Sequence, residues 1–290
     1  MTKIAFVGLG VMGYPMAGHL SDAGLEVTVY NRTLSKANEW QGEYTGTVVM
    51  TPREAAASAE IVCMCVGNDS DVRSVVYGED GVLAGINAGS LLIDHTTASP
   101  DLAKELQLAA AEKGCGFLDA PVSGGQAGAE NAVLTIMIGG NNVDFTRAKI
   151  VLDVYAKSAK LMGPSGNGQL TKAVNQICIA GVLQGLSEGL HFAEQAGLDI
   201  NAVVEVISKG AAQSWQMENR SETMAAGKFD YGFAVDWMRK DLGIVLDTAE
   251  NIQASLPLTA LVDQFYKDIQ RKGGGRWDTS SLIERLRMPK

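Results

Sequence analysis

Histidine and cysteine are scarce in this chain, with three and four residues among 290, and the scarcity narrows its chemistry. Cys63, Cys65, Cys115 and Cys178 lack C-x-x-C spacing and the density of a disulfide scaffold, so they read as reduced thiols of a cytoplasmic protein. Cys63 and Cys65 share one face of an expected strand as small apolar side chains. No grouping of His, Cys and carboxylates has metal-ligand spacing, and no metal is expected. Basic residues are short as well: 24 Lys and Arg against 33 Asp and Glu leave a net charge of −9. Without clustered cations a nucleic-acid partner is excluded. No run approaches the ~18 uninterrupted apolar residues of a membrane span, so no membrane partner is expected either. The apolar stretch after Lys3 is not read as a secretory signal, because its glycines have a better explanation.

What is present suits a globular protein: 46% hydrophobic and 20% charged residues, in a chain longer than one core usually supports, hence two domains. Short β-rich runs at 4–7, 26–30, 61–66, 91–94, 117–118 and 133–138 alternate with amphipathic stretches. The run 61–66 is apolar on both faces, as in a parallel sheet covered by helices on each side. At Gly163-Pro164-Ser165-Gly166-Asn167-Gly168 the pattern breaks, with Ser165 or Asn167 placed to cap a following helix. Helical patterns then cover 169–195, 201–209, 215–226, 235–254 and 258–272. The expected fold is α/β: an N-terminal Rossmann-type doubly wound domain over 1–163, then a long interdomain helix opening an all-α substrate and oligomerisation domain over 164–290. Gly181, Gly185 and Gly189 line one face of that helix at about 1 kcal/mol each relative to Ala. Another helix, from this chain or a second subunit, is expected to press against them.

Gly8-Leu9-Gly10-Val11-Met12-Gly13 directly follows the first strand and opens a helix, the context in which G-x-G-x-x-G binds a dinucleotide. Gly8 permits the turn, Gly10 lets the backbone approach the pyrophosphate, and Gly13 lets helix and strand pack closely. The phosphates then lie at the helix N-terminus. The second strand ends in Asn31, Arg32 and Thr33. A neutral Asn31 does not repel a 2′-phosphate, Arg32 is a planar bidentate partner for it, and Thr33 adds a hydroxyl. NADP is therefore the expected cofactor, with NAD the alternative where Arg32 is only a solvated loop residue.

With these residues in view, the chain resembles the β-hydroxyacid dehydrogenase family, which includes 3-hydroxyisobutyrate dehydrogenase, tartronate semialdehyde reductase and the glyoxylate/succinic semialdehyde reductases. The likeness runs nearly end to end, through Gly8 to Leu20, Asp119-Ala120-Pro121-Val122-Ser123-Gly124-Gly125, Gly166 to Gln176, and Lys240-Asp241-Leu242. It implies hydride transfer between NADP(H) and a small β-hydroxy acid or its semialdehyde, in a cleft between the domains of a homo-oligomer. Lys172 and Asn175 are three residues apart and share a helix face. Carbonyl reduction needs a proton for the developing alkoxide, and a lysine supplies it when desolvation brings its pKa toward neutrality. By resemblance Lys172 is that catalytic lysine and Asn175 contacts the substrate. Ser123, Gly124 and Gly125 bare backbone donors, and by resemblance they grip the substrate carboxylate. The resemblance also implies that Lys240 closes over cofactor and substrate with Asp241 holding it, and that Val66, Gly67 and Thr97 contact the cofactor.

His95 is read as shaping the cleft, while His19 and His191 have no identifiable partners. Residues 213–216 and Phe233 are expected in the pocket wall, where large apolar groups suit a short substrate of limited polarity. The alternatives are an NADPH-dependent short-chain aldehyde reductase of the glyoxylate or succinic semialdehyde type, an imine reductase, and a non-catalytic NADP-binding interaction module. The presence of Lys172 speaks against the last two.

Overall fold

The computed structural model describes residues 2–287, and the chain divides into two compact units, residues 1–172 and 173–290. In the first, β1 (Lys3–Val7), β2 (Glu26–Tyr30), β3 (Thr47–Val48), β4 (Ile61–Met64), β5 (Leu91–Asp94) and β6 (Gly116–Asp119) form one sheet. All its pairings are parallel, in the order β3-β2-β1-β4-β5-β6. Successive side chains leave a strand on opposite faces, and here each face meets its own core. Phe6, Cys63 and Ile93 pack with Leu20, Trp40 and Tyr155, whereas Val7, Val62, Met64 and Leu92 pack with Val72, Leu102 and Leu106. This is the doubly wound architecture expected from the two-faced apolar strands. Its strand order reverses between β1 and β4, where such sheets open a crevice at the strands' carboxyl ends.

A second sheet joins β7 (Val122–Ser123), β8 (Leu134–Ile138) and β9 (Ala156–Leu161), with β7 antiparallel and β9 parallel to β8. Neither β3 nor β9 is visible in the hydrophobic pattern. β3 is two residues long, and β9 reads Ala-Lys-Ser-Ala-Lys-Leu with no residue fully buried; an edge strand guarded by lysines is held by its backbone ladder rather than by a buried face. The strand expected over 61–66 ends at Met64, since Val66 N–H turns to donate to Thr96 Oγ1 at 3.0 Å.

The second unit is helical, with segments Ile200–Ile207, Trp215–Ala225, Val235–Ile252 and Pro257–Arg271 following the long helix Asn167–Gln195, which begins in the first unit. Met238, Leu242 and Val262 lie at its core with Leu183 and Tyr266. Among the described residues no helix is long and apolar enough to cross a membrane.

One expectation about the long helix needs correction. Neither Ser165 nor Asn167 provides its cap: the Asp119 carboxylate, from the end of β6, accepts from Gly166 N–H at 2.8 Å and Gln169 N–H at 3.0 Å. A carboxylate satisfies free N–H groups at a helix start and is favoured there by the helix dipole. On the glycine face, where a neighbour from this chain or a second subunit is expected, the chain itself supplies one at Gly181 alone among the three. A Cβ at Gly181 would meet Leu258 Cδ2 at 3.4 Å, but at Gly185 and Gly189 nothing lies within 4 Å.

Candidate active site

The turn after β1 needs its glycines for three different reasons. Gly8 has φ +99°, and a Cβ there would strike the carbonyl of Cys65, so the turns after β1 and β4 are pressed together. At Gly13 a Cβ would meet the Gly8 carbonyl and the Phe6 ring, so glycine lets the helix Gly13–Asp22 close on its strand. Gly10 has nothing within 4 Å of its Cβ position, leaving open backbone where a pyrophosphate approaches. Leu9 is buried and Val11 exposed. Leu9 N–H donates to Asn31 Oδ1 at 2.9 Å, and Asn31 Nδ2 donates to the Thr33 carbonyl at 2.9 Å. Asn31 thus pins the glycine turn to the end of β2. The Arg32 side chain is 82% exposed and meets Asp71 at 3.1 Å, a surface pair worth ~0–1 kcal/mol that yields readily to a phosphate. Open Gly10, neutral Asn31 and exposed Arg32 fit a dinucleotide carrying a 2′-phosphate.

Beneath this turn lies a frame of buried polar groups. Asp94 Oδ1 accepts from Thr96 N–H at 2.9 Å; Thr96 Oγ1 receives Val66, and the Thr96 carbonyl accepts from Gln169 Nε2 at 2.7 Å. Gly67 and Thr97 flank these contacts, half-buried. His95 is buried, Nδ1 lying 2.8 Å from the Ala120 carbonyl and Nε2 2.8 Å from the Tyr155 hydroxyl. A carbonyl only accepts, so Nδ1 carries the proton and Tyr155 donates to Nε2. Burial lowers the His95 pKa to about 4, leaving it neutral, and it ties the end of β5 to the segment leading into Ser123. His19 likewise has partners that the sequence did not disclose, the carbonyls of Ala129 and Glu130, and His191 lies 3.5 Å from Glu194. Burial raises the Cys63 thiol to about 12, in keeping with an inert apolar role.

Burial also pushes the Asp94 carboxyl up to about 7, with the Asp119 carboxylate adding to the rise. A carboxyl whose pKa is higher folded than unfolded contributes stability below its unfolded value, near 4, and that contribution is lost as pH rises through about 7. Asp94→Asn keeps the acceptor for Thr96 and removes the titration. Its stability relative to the parent is expected to rise by on the order of 3 kcal/mol from pH 4 to pH 8, read by urea unfolding. A pH-independent difference would assign the group an ordinary pKa.

Lys172 is buried, at 7% exposure, in the second turn of the long helix. Asp119 fixes the first turn; Gln169 adds a further tie, its Oε1 accepting from Ala98 N–H at 3.0 Å. Ser123 ends β7, Gly124 takes φ +135° and Gly125 φ +60°, and the helix Gly125–Glu130 begins there. The Gly124 conformation is one that glycine alone adopts without strain, and the first N–H groups of the helix have no partner within it.

Within the second unit a chain of side chains joins two helices. Asn175 Nδ2 donates to Gln176 Oε1 at 2.8 Å, Gln176 Nε2 donates to Asp241 Oδ2 at 2.6 Å, and Asp241 Oδ1 holds Lys240 Nζ at 2.7 Å. Asp241 and Gln176 are buried at 2% and 1% exposure. The Lys240–Asp241 contact agrees with its sequence expectation, whereas Gln176 was not singled out. Of the expected pocket wall, Ser214 instead caps a helix by accepting from Met217 N–H at 3.1 Å. Trp215 is half exposed with the Arg220 guanidinium 4.9 Å from its ring centre, Gln213 is exposed and Gln216 half-buried, and Phe233 N–H is anchored on Asp278 Oδ2 at 2.9 Å.

The NAD-binding domain of 6-phosphogluconate dehydrogenase matches residues 3–163. The NAD-binding domain of NADP-dependent 3-hydroxyisobutyrate dehydrogenase matches residues 166–286. An uncharacterized oxidoreductase of Shewanella frigidimarina is 60% identical over 99% of this chain and 98% of its own length. A probable mitochondrial 3-hydroxyisobutyrate dehydrogenase-like protein of Arabidopsis thaliana is 41% identical over 97% of this chain and 84% of its own. Among solved structures, the 3-hydroxyisobutyrate dehydrogenase of Mycobacterium tuberculosis, described with L-serine, superposes with a TM-score of 0.89 at 32% identity, covering 99% of this chain and 100% of that one.

Proposed function

The chain belongs to the β-hydroxyacid dehydrogenase family of NADP-dependent oxidoreductases, and from that premise we propose that it acts as a 3-hydroxyisobutyrate dehydrogenase-like enzyme on a small β-hydroxy acid or its semialdehyde. The observation that carries the proposal is Lys172, an ammonium buried on a helical turn that Asp119 and Gln169 hold in place. A lysine buried on a rigid turn has the desolvation and the fixed position that proton transfer requires.

The cofactor is held by residues 8–13, with Asn31, Arg32 and Thr33 around the 2′-phosphate and Val66, Gly67, Thr97 and Lys240 completing its contacts. When bound, the nicotinamide supplies or accepts the hydride. Lys172 gives a proton to the carbonyl oxygen during reduction and takes it from the β-hydroxyl during oxidation. Ser123, Gly124 and Gly125 receive the carboxylate on neutral donors, which lets a chain of net charge −9 bind an anion. Asn175 and Lys240 fix the substrate's remaining oxygens, so that the reacting atoms meet in one geometry. These roles divide between a cofactor domain, 1–163, and a substrate and oligomerisation domain, 164–290.

L-serine, with which the mycobacterial enzyme is described, is itself a small β-hydroxy carboxylate and favours that class over simple aldehydes. The test is NADP reduction and NADPH oxidation with 3-hydroxyisobutyrate, 3-hydroxypropionate, succinic semialdehyde, glyoxylate and tartronate semialdehyde. A β-hydroxy acid or its own semialdehyde is expected to turn over fastest; preference for glyoxylate or succinic semialdehyde assigns the aldehyde-reductase alternative, and no turnover of any compound sinks both.

A second copy of the chain is the proposed cover for Gly185 and Gly189. Gly185→Leu gains helix propensity of about 0.8 kcal/mol, and its Cβ meets no neighbouring atom within 4 Å beyond the helix's own backbone. It is expected to leave the protomer folded while shifting the oligomer to smaller species in size-exclusion chromatography. An unchanged assembly would remove this face from the interface.

A further inference from the structure

Amide side chains are ordinarily ambiguous, since their oxygen and nitrogen are interchangeable by a flip. Gln176 is an exception, because one end of it faces a carboxylate. Asp241 is buried at 2% exposure and has only acceptors to offer when ionised, so the nitrogen of Gln176 must be the end that lies 2.6 Å from its Oδ2. The carbonyl end then faces Asn175, whose nitrogen must be the atom 2.8 Å away. Donation thus runs from Asn175 through Gln176 to Asp241, whose carboxylate also accepts from the Lys240 ammonium. The Asn175 oxygen, on the far side of that amide, is turned away from Gln176 as an acceptor.

We propose that Gln176 is a positioning residue for the reaction, orienting Asn175 as a hydroxyl acceptor and holding Asp241 so that Lys240 keeps its place. The inference rests on the substrate roles proposed for Asn175 and Lys240. Gln176 itself touches neither substrate nor cofactor. Its effect reaches the substrate through two residues on two different helices, Asn167–Gln195 and Val235–Ile252, so one side chain sets the register of both contacts. An amide suits the position because it donates at one end and accepts at the other. A carboxylate would repel Asp241, and an apolar side chain would leave a buried Asp241 lone pair unsatisfied.

The experiment compares Gln176→Met and Gln176→Glu with the parent, using the panel compound that the parent turns over fastest. Gln176→Met is expected to lower kcat/KM roughly tenfold to hundredfold at every pH, as loss of a charge-assisted hydrogen bond implies. Gln176→Glu is expected to approach parent activity at low pH, where the protonated acid donates to Asp241 as the amide does. Its activity then falls toward that of Gln176→Met as the acid ionises, a limb the parent lacks. Folding is followed in parallel by thermal melting. A folded Gln176→Met within threefold of the parent, or a Gln176→Glu that tracks the parent at all pH values, overturns the proposal. A second arm needs no turnover: the side-chain NH2 signals of Asn175, read by 15N NMR in the substrate-free protein, are expected to shift and exchange faster with water in Gln176→Met. Unchanged Asn175 signals overturn the proposal even if no panel compound reacts, and a shift without turnover faults only the substrate reading.

Discussion

Replacing Lys172 by methionine is expected to lower kcat by roughly a thousandfold, with the affinity for NADPH changed less than about threefold, because positioned proton transfer contributes ~10²–10⁴-fold. The side chain is 7% exposed, and methionine has a similar length without the amine, so the substitution removes the proposed proton carrier without opening a large cavity. Stability gives the control. Methionine keeps the apolar stem packed, so a folded variant isolates the loss of the amine. A melting temperature that holds or rises while turnover collapses therefore separates a chemical role from a structural one. Equilibrium binding of NADPH, followed by its fluorescence, tests whether the cofactor site is intact. Retention of more than a tenth of the parent's kcat would strip Lys172 of its role and leave the non-catalytic binding module as the better account.

Lys172 could be placed on a helix from the sequence, but what holds that helix could not. Its motif, the helix around it and the two-faced strands before it were legible because each follows from local spacing: period 2 in strands such as Ile61–Met64, period 3.6 in helices, glycine where a turn demands it. Helix limits agree to within about two residues for that reason. Asp119 was quoted within a motif, yet its task as the cap of a helix beginning 48 residues later depends on a fold-level juxtaposition that no local rule contains. The pairing of His95 with Ala120 and Tyr155 is of the same kind, as is that of Gln176 with Asp241. Buried polar residues must find partners, and that requirement was available from the start; which partners they find depends on strand order and helix packing. The glycine face of the long helix is the opposite case. Its spacing was plain, but which of the two expected covers applies was not: this chain reaches Gly181 and leaves Gly185 and Gly189 open, because periodicity identifies a face and not what covers it.

Cofactor choice carries the second large effect. Arg32→Ala is expected to raise KM for NADPH by roughly thirtyfold to hundredfold and to change KM for NADH less than threefold, since a charge-assisted pair contributes ~2–3 kcal/mol and each 1.4 kcal/mol is tenfold. The competing partner, Asp71, does not alter that sign: with the Arg32 side chain 82% exposed, their contact is worth ~0–1 kcal/mol, less than a doubly charged phosphate offers. Asn31→Asp works by a different route. Its oxygen still accepts from Leu9 N–H, preserving the turn, but the new negative charge repels the 2′-phosphate and offers a ribose 2′-hydroxyl an acceptor. The donor to the Thr33 carbonyl is lost, a cost that falls on both cofactors alike and cancels in their ratio. Steady-state kinetics with NADPH and NADH on the two single variants and the double variant decide between the routes. If the single variants each shift the NADPH/NADH ratio and the double variant shifts it further, end-of-strand electrostatics set the cofactor. If Arg32→Ala depresses both cofactors equally, Arg32 acts on the shared part of the dinucleotide and selects nothing.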